Sequence, residues 1–135
     1  MANVPTAAIV YIVDDDDSVR KGLTRLMRSA GLQSQAFASA EEFLAEADSD
    51  MKGCILLDIT MPRLTGFQLQ TELNTRRIDL PVIAISARDD ADTRRLALEL
   101  GAKFFLRKPV DDQALLDTIH WVLTSVVPPD DKQIH

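Results

Sequence analysis

The sequence predicts an α/β protein built on a doubly wound parallel sheet, and three observations carry that prediction. The apolar runs Ala8 to Val13, Gly53 to Leu57 and Val82 to Ile85 show no polar alternation, as expected of strands covered on both faces. Amphipathic stretches of helical length separate such runs, so that five strand segments alternate with five helical ones. Four of the strands deliver something polar to their carboxyl ends: Asp14 and Asp15, Asp58, Ser86, and Lys108. In open parallel sheets those ends are where ligands bind.

The elements follow in order. The first strand, Ala8 to Val13, runs into Asp14-Asp15, and Asp16 or Asp17 caps a helix whose apolar positions Val19, Leu23, Leu26, Met27 and Ala30 have helical spacing; Gly31 stops it. Leu32 to Phe37 is more polar, as suits a strand near a sheet edge. Ser39-Ala40-Glu41-Glu42 has the capping-box form and opens a short helix buried through Ala40, Phe43, Leu44 and Ala47. Gly53 to Asp58 is a third strand, followed by the turn Met61 to Gly66 and by a helix carried by Phe67, Leu69 and Leu73, broken at the polar stretch from Asn74 to Asp79. Pro81 opens a fourth strand, Val82 to Ser86; Asp89 and Asp90 are candidate caps for a helix reaching Leu100 and stopped by Gly101. Lys103 to Arg107 is a short last strand. Asp111 or Asp112 caps a final helix with the stripe Leu115, Ile119, Val122, Leu123 and Val126, ended by Pro128-Pro129.

Composition narrows the function. At 135 residues, 46% hydrophobic and 27% charged, the chain fits one ordinary globular domain. A formal charge of −6 argues against nucleic-acid binding by this domain, because phosphate recognition needs clustered Lys and Arg. Cys54 is the one cysteine, lies within an apolar strand and reads as core filler, so neither a disulfide framework nor a thiolate metal site is expected. No run approaches the roughly 18 apolar residues of a membrane span and no signal-peptide pattern opens the chain, which predicts a cytoplasmic protein without membrane contact.

The strand ends form a charged constellation. Asp14, Asp15 and Asp58 brought together would raise one another's pKa unless a cation sat among them, and a hard divalent ion such as Mg²⁺ suits carboxylates, waters and a phosphoryl group. Lys108 adds a point charge able to pair with a carboxylate or grip a phosphoryl oxygen, and Ser86 adds a hydroxyl donor. Carboxylates are recognised nucleophiles toward phosphoryl groups, so the parts for an aspartyl-phosphate are present. Asp16 and Asp17 read as cap and solvent residues rather than ligands. His120 reads as structural, Trp121 as partly exposed, and the pairs Arg76-Arg77 and Arg94-Arg95 as solvated helix faces.

Four motifs stand in sequence: Ile12-Val13-Asp14-Asp15; Leu57-Asp58-Ile59-Thr60-Met61-Pro62 with Gly66; Ile85-Ser86-Ala87; and Lys108-Pro109. As an ordered set, from about Ile9 to Val126, they resemble the receiver domain of two-component response regulators, the CheY-like superfamily. That resemblance implies a flavodoxin-like (βα)5 sheet in strand order 2-1-3-4-5, a receiver domain over residues 1–127 and a flexible tail over 128–135. It implies that Asp58 accepts a phosphoryl group from the phosphohistidine of a sensor kinase or phosphotransfer protein. Asp15, Asp58 and the Thr60 backbone carbonyl would hold Mg²⁺, with Asp14 acting through water. Ser86 and Lys108 would hold phosphoryl oxygens, and Phe105 takes the place of an aromatic switch residue that turns inward as Ser86 moves toward the phosphate. Output would pass through the surface of the fourth helix, fifth strand and fifth helix, also a possible homodimer face. Ser86 stands where Thr is commoner and Phe105 where many relatives have Tyr; Thr60 and Arg88 occupy positions that tune phosphate lifetime.

Two other classes compete with this switch. A phosphatase-type enzyme working through an aspartyl-phosphate resembles haloacid dehalogenases, which carry a second acid two residues after the nucleophile; here that position is Thr60. Catalysis is therefore expected only on the chain itself, at Asp58. A pseudo-receiver that binds partners without phosphate would be expected to lose Asp15, Asp58 or Lys108, and all three are present. The chain reads as a stand-alone receiver or as the receiver part of a longer regulator, DNA-binding ones included.

Overall fold

Strands β1 (Ile9–Val13), β2 (Ser34–Phe37), β3 (Gly53–Asp58), β4 (Val82–Ser86) and β5 (Ala102–Arg107) pair in parallel in the order β2-β1-β3-β4-β5 in a computed structural model that describes residues 8–60, 65–88 and 90–124. Helices α1 (Asp17–Ser29), α2 (Ala40–Glu46), α3 (Gly66–Arg76), α4 (Ala91–Glu99) and α5 (Asp112–Thr124) make the crossovers. Because every strand runs the same way, every helix must return along a face of the sheet, and both faces become core.

The alternation of side chains along the strands feeds two clusters. Val10, Ile12, Cys54, Leu56, Ile83 and Ile85 face Met27 of α1 and Leu115, Ile119 and Leu123 of α5. Tyr11, Val13, Ile55, Leu57, Ala84 and Phe105 face Phe43 of α2, Leu69 and Leu73 of α3 and Ala97 of α4. Continuous apolar runs thus serve two cores at once, which is why they lack the alternation of half-exposed strands. An irregularity between β4 and β5, where Val82 pairs with Ala102 but Ile83 with Phe104, skips Lys103 and sets Phe105 beside Ala84.

Most helix boundaries follow the expected caps. The carboxylate of Asp16 accepts from the N–H groups of Ser18 and Val19, Asp90 from Thr93, and Asp111 from Ala114. Two differ from expectation. The Ser39 hydroxyl caps α2 by accepting from the Glu42 N–H, but the Glu42 carboxylate takes the N–H of Ala38 rather than that of Ser39, so the box closes one residue upstream. Helix α3 begins at Gly66 and runs past Asn74 to Arg76, with Arg77 in the left-handed conformation at φ 57° as its stop. Its start is a complete capping box: Thr65 Oγ1 accepts from the Gln68 N–H and Gln68 Oε1 from the Thr65 N–H.

Two glycines allow close approach. A Cβ on Gly53, which has φ +132°, would lie 1.8 Å from the Ile9 carbonyl oxygen, and one on Gly66 would lie 2.7 Å from the Ile59 Cα and 3.0 Å from the Asp58 carbonyl oxygen. The first lets β3 start against β1; the second lets α3 start against the end of β3.

All four residues of the arginine pairs are exposed, as expected, and Arg76 and Arg94 make specific contacts as well. Arg76 pairs with Glu72 at 2.9 Å and donates to the Leu44 carbonyl at the end of α2, while the Arg94 guanidinium lies 5.0 Å from the centre of the Phe105 ring. His120 is exposed, with Nδ1 2.8 Å from the Leu116 carbonyl, and Trp121 is 62% exposed. The turn at Met61 to Leu64, the cap candidate Asp89, Val126, and the tail over 128–135 lie outside the described residues.

Candidate functional site

The site forms where β1 and β3 end side by side. Strand β1 has neighbours on both sides, β2 and β3, and chain connections leave it in opposite directions, so a crevice opens at the carboxyl ends of β1 and β3. Val13 pairs with Leu57, which sets Asp14 and Asp58 one residue beyond the same rung. Asp58 pairs with Ile85 of β4, so Ser86 follows on the next strand, and the Lys108 N–H donates to the Ser86 carbonyl at 2.8 Å. Four residues far apart in sequence thereby meet at one edge.

One carboxylate oxygen from each of Asp14, Asp15 and Asp58 lies within 4.8 Å of the others. Asp14 and Asp58 are buried and Asp15 is exposed. Lys108 Nζ stands 3.1 Å from Asp14 Oδ2 and 3.5 Å from Asp58 Oδ2, opposite in charge to both. Thr60 donates twice to Asp58 Oδ1, from its N–H at 3.0 Å and its hydroxyl at 2.9 Å. These contacts fix the plane of the Asp58 carboxylate. The Ser86 hydroxyl is fully buried and accepts the Arg88 N–H at 2.9 Å.

Burial pushes the Asp14 carboxyl above the usual carboxylate range; the Asp58 charge adds to this, while the Asp16 N–H and Lys108 oppose it without cancelling it. Burial alone would pull the Lys108 ammonium down, yet its hydrogen bond to Asp14 and the charge of Asp58 outweigh that and hold it above its ordinary value. The arrangement concentrates negative charge in a low-dielectric crevice and only partly answers it with Lys108. A cluster of carboxylate oxygens with this deficit fits a hard divalent cation such as Mg²⁺.

Asp14, Asp15, Asp58, Thr60, Ser86 and Lys108 are all at this edge. Phe105 is apart from it, buried in the core beneath Arg94. Asp16 and Asp17 are not in the acid cluster; Asp16 caps α1 and Asp17 pairs with Arg20 and Lys21. Two features went unread in the sequence. Arg20 donates to the Asp14 carbonyl at 2.7 Å, a contact that the spacing of six residues from a strand end to a helix face could have suggested. An apolar cavity of about 600 Å³ lies between α1 and α5, lined by Val19, Leu23, Leu26, Val110 and Leu115 and bordered by Asp14 and Lys108. No helix among the described residues is long and apolar enough to cross a membrane.

Residues 10–120 match the family model described as the response regulator receiver domain. The chain is 44% identical to nodulation protein W of Bradyrhizobium diazoefficiens over 114 residues, which is 84% of this chain and 50% of that protein. It is 41% identical to the transcriptional regulatory protein TdiR of Thauera aromatica over 127 residues, 94% of this chain and 56% of that protein. The solved structure of FixJ-N superposes with a TM-score of 0.83 at 31% identity, covering 92% of this chain and 99% of that one. The chain spans about half the length of the curated relatives it matches. An ordered sheet edge of this composition and a family pattern running nearly end to end agree, and the chain belongs to the response regulator receiver domain family, a signalling module of two-component systems.

Proposed function

We propose that this domain is a phosphorylation-dependent switch in which Asp58 accepts a phosphoryl group from a phosphohistidine on a sensor kinase or phosphotransfer protein. The observation that carries the reading is a buried carboxylate at the end of β3 with its plane held by Thr60, a lysine at 3.5 Å and two further acids beside it. An Asp58 oxygen bonds to phosphorus as the phosphorus–nitrogen bond breaks, and the imidazole leaves with its electron pair and takes up a proton. Phosphoryl transfer asks chiefly for positioning and charge neutralisation, and the held Asp58 carboxylate and the Lys108 charge support the reading on these counts. Lys108 offers positive charge to the incoming oxygens.

Asp15, Asp58 and the Thr60 carbonyl would hold Mg²⁺, with Asp14 acting through water. A bound Mg²⁺ supplies charge neutralisation to the phosphoryl oxygens. Thr60 and Arg88 occupy the positions that tune the lifetime of the acyl phosphate, and self-dephosphorylation at Asp58 is the one hydrolysis expected.

Ser86 gives the signal its path. Its hydroxyl now serves the Arg88 N–H in its own turn; a phosphoryl oxygen on Asp58 offers it a charged acceptor and draws it across the edge. Phe105 packs behind, paired with Ala84 two residues before Ser86; its ring is already buried here, the inward position that a shifted Ser86 would favour. Phosphate then stabilises one of two arrangements of the α4, β5 and α5 surface, available to a partner or to a second copy of the chain. We place the chain in the cytoplasm with its kinase, and the regulation of transcription named for TdiR is a fitting output for a longer protein of this kind.

The test is incubation with acetyl phosphate and Mg²⁺, read by intact mass. Wild type gains one phosphoryl group; Asp58→Asn gains none, and a chelator abolishes the wild-type adduct. An adduct that survives Asp58→Asn would place the acceptor elsewhere and overturn the assignment.

A further inference from the structure

Four successive aspartates follow β1, and the switch described above uses only the first two. Of the remaining pair, Asp16 caps α1 and Asp17 pairs with Arg20. Arg20, one turn into α1, directs one arm of its guanidinium back to the Asp14 carbonyl, with Nη1 to O at 2.7 Å, and the other outward to Asp17, with Nη2 to Oδ1 at 3.1 Å. We propose that Arg20 is a positioning residue that locks the acidic loop between β1 and α1 in the shape that lets Asp14 and Asp15 hold a divalent cation; this rests on reading the Asp14, Asp15 and Asp58 cluster as a cation site.

The loop faces a physical difficulty that Arg20 resolves. Adjacent carboxylates repel, and the backbone joining them would spread if left to solvent. Here hydrogen bonds hold the loop on both sides of Asp15. The Asp14 N–H donates to the Phe37 carbonyl and the Asp16 N–H to Asp14 Oδ1, while the Asp16 carboxylate caps α1. The Asp14 carbonyl, at the point where the chain turns from strand to helix, calls for a donor. Arg20 supplies it, and the same planar group reaches Asp17 at the far end of the loop.

A fork suits this, because two separate nitrogens of one rigid plane reach one acceptor each, a spread that a single Nζ does not have. Lys21 shows the contrast. It also pairs with Asp17, at 3.0 Å, but its side chain is 69% exposed whereas that of Arg20 is 18% exposed. The Lys21 pair is a surface contact, and the Arg20 contact is set into the structure.

Two effects of Arg20 oppose each other and give the test its sign. As a cation within hydrogen-bond reach of the Asp14 carbonyl it works against a second cation nearby, so deleting its charge alone would tighten Mg²⁺ binding. As a brace it holds the ligands in place, so deleting it would weaken binding. The Asp17 carboxylate already answers much of its charge, and the brace should prevail. Residues that orient metal ligands cost about 10–100-fold in affinity when lost.

Mg²⁺ binding to the unphosphorylated protein is measured by calorimetry for wild type, Arg20→Met and Arg20→Lys, with thermal midpoints taken in chelator. The expected result is a weakening of about tenfold for Arg20→Met and a loss in the same direction for Arg20→Lys, which keeps the charge but not the fork. A purely structural role would lower the midpoint in chelator and leave Mg²⁺ affinity of the folded protein unchanged, and that result overturns the proposal. So does tighter binding by Arg20→Met, or an Arg20→Lys variant equal to wild type. Should Arg20→Met not fold, Arg20→Lys decides alone. Wild type that takes up no Mg²⁺ overturns the cation-site reading and this proposal together, whereas wild-type binding with unchanged variants overturns this proposal only.

Discussion

Asp14 is the residue on which the energetics of the site turn. It is buried beside another carboxylate, and the Lys108 ammonium that its own carboxylate contacts is shared with Asp58. Its pKa in the folded chain is raised, so the folded state binds the proton more tightly than the unfolded state does. The stability this confers is fully present below the unfolded value of about 3.9 and is lost as pH rises through the folded one, leaving an ionised Asp14 as a net cost at neutral pH. Without divalent cations, Asp14→Asn should therefore melt at a higher temperature than wild type at pH 7, and the gap should narrow as pH is lowered toward 4. Thermal melts at the two pH values check this; an equal gap at both would assign the cost to something other than charge. Asp14, Asp58 and Lys108 were legible in the sequence because each sits where a recognisable strand stops. The fork of Arg20 and the hold of Thr60 on Asp58 were not, because they depend on how a turn folds back and no apolar pattern encodes that.

Among the elements, α3 shows how a local signal can hide behind a stronger one. Gly66 follows a proline-containing stretch and reads as the end of a turn, yet it is the first residue of the helix, and Thr65 and Gln68 close a capping box around that start. Thr65→Ala should cost about 1 kcal/mol of stability in urea unfolding, the ordinary worth of a lost cap. A cost near zero would mean that contact of α3 with Ile59, and not the cap, anchors the helix start. The caps of α1, α4 and α5 were readable because in each an aspartate stands just before an amphipathic run. The real end of α3 was not, since Asn74, Thr75 and Arg76 look like a breaker until packing keeps them helical; Arg76 reaching the Leu44 carbonyl is part of that packing. The arginine pairs illustrate the same limit, because Arg94 over Phe105 is a contact between a helix and a strand that sequence spacing does not register.

For the whole molecule, apolar continuity proved the most informative pattern. It announced strands buried on both faces, and hence a sheet between two helical layers, but the order of the strands came from the family resemblance, since runs of similar composition do not say which neighbours which. Cys54 sits at the centre of this arrangement, fully buried in β3, with burial pushing its thiol up to about 12. It should resist thiol reagents at pH 8 in the native state and react at a rate that tracks unfolding of the entire sheet, measured by labelling against urea concentration. Rapid labelling in water would reveal local opening of β3 and contradict a single cooperative core. Trp121 stands at the other extreme, the one tryptophan of the chain, 62% exposed and nine residues along α5 from Asp112, or roughly 13 Å of helix. The protein therefore carries its own optical label: its ultraviolet emission should be that of a largely hydrated indole, and a blue shift would record the moment that face of α5 is covered, without any dye attached.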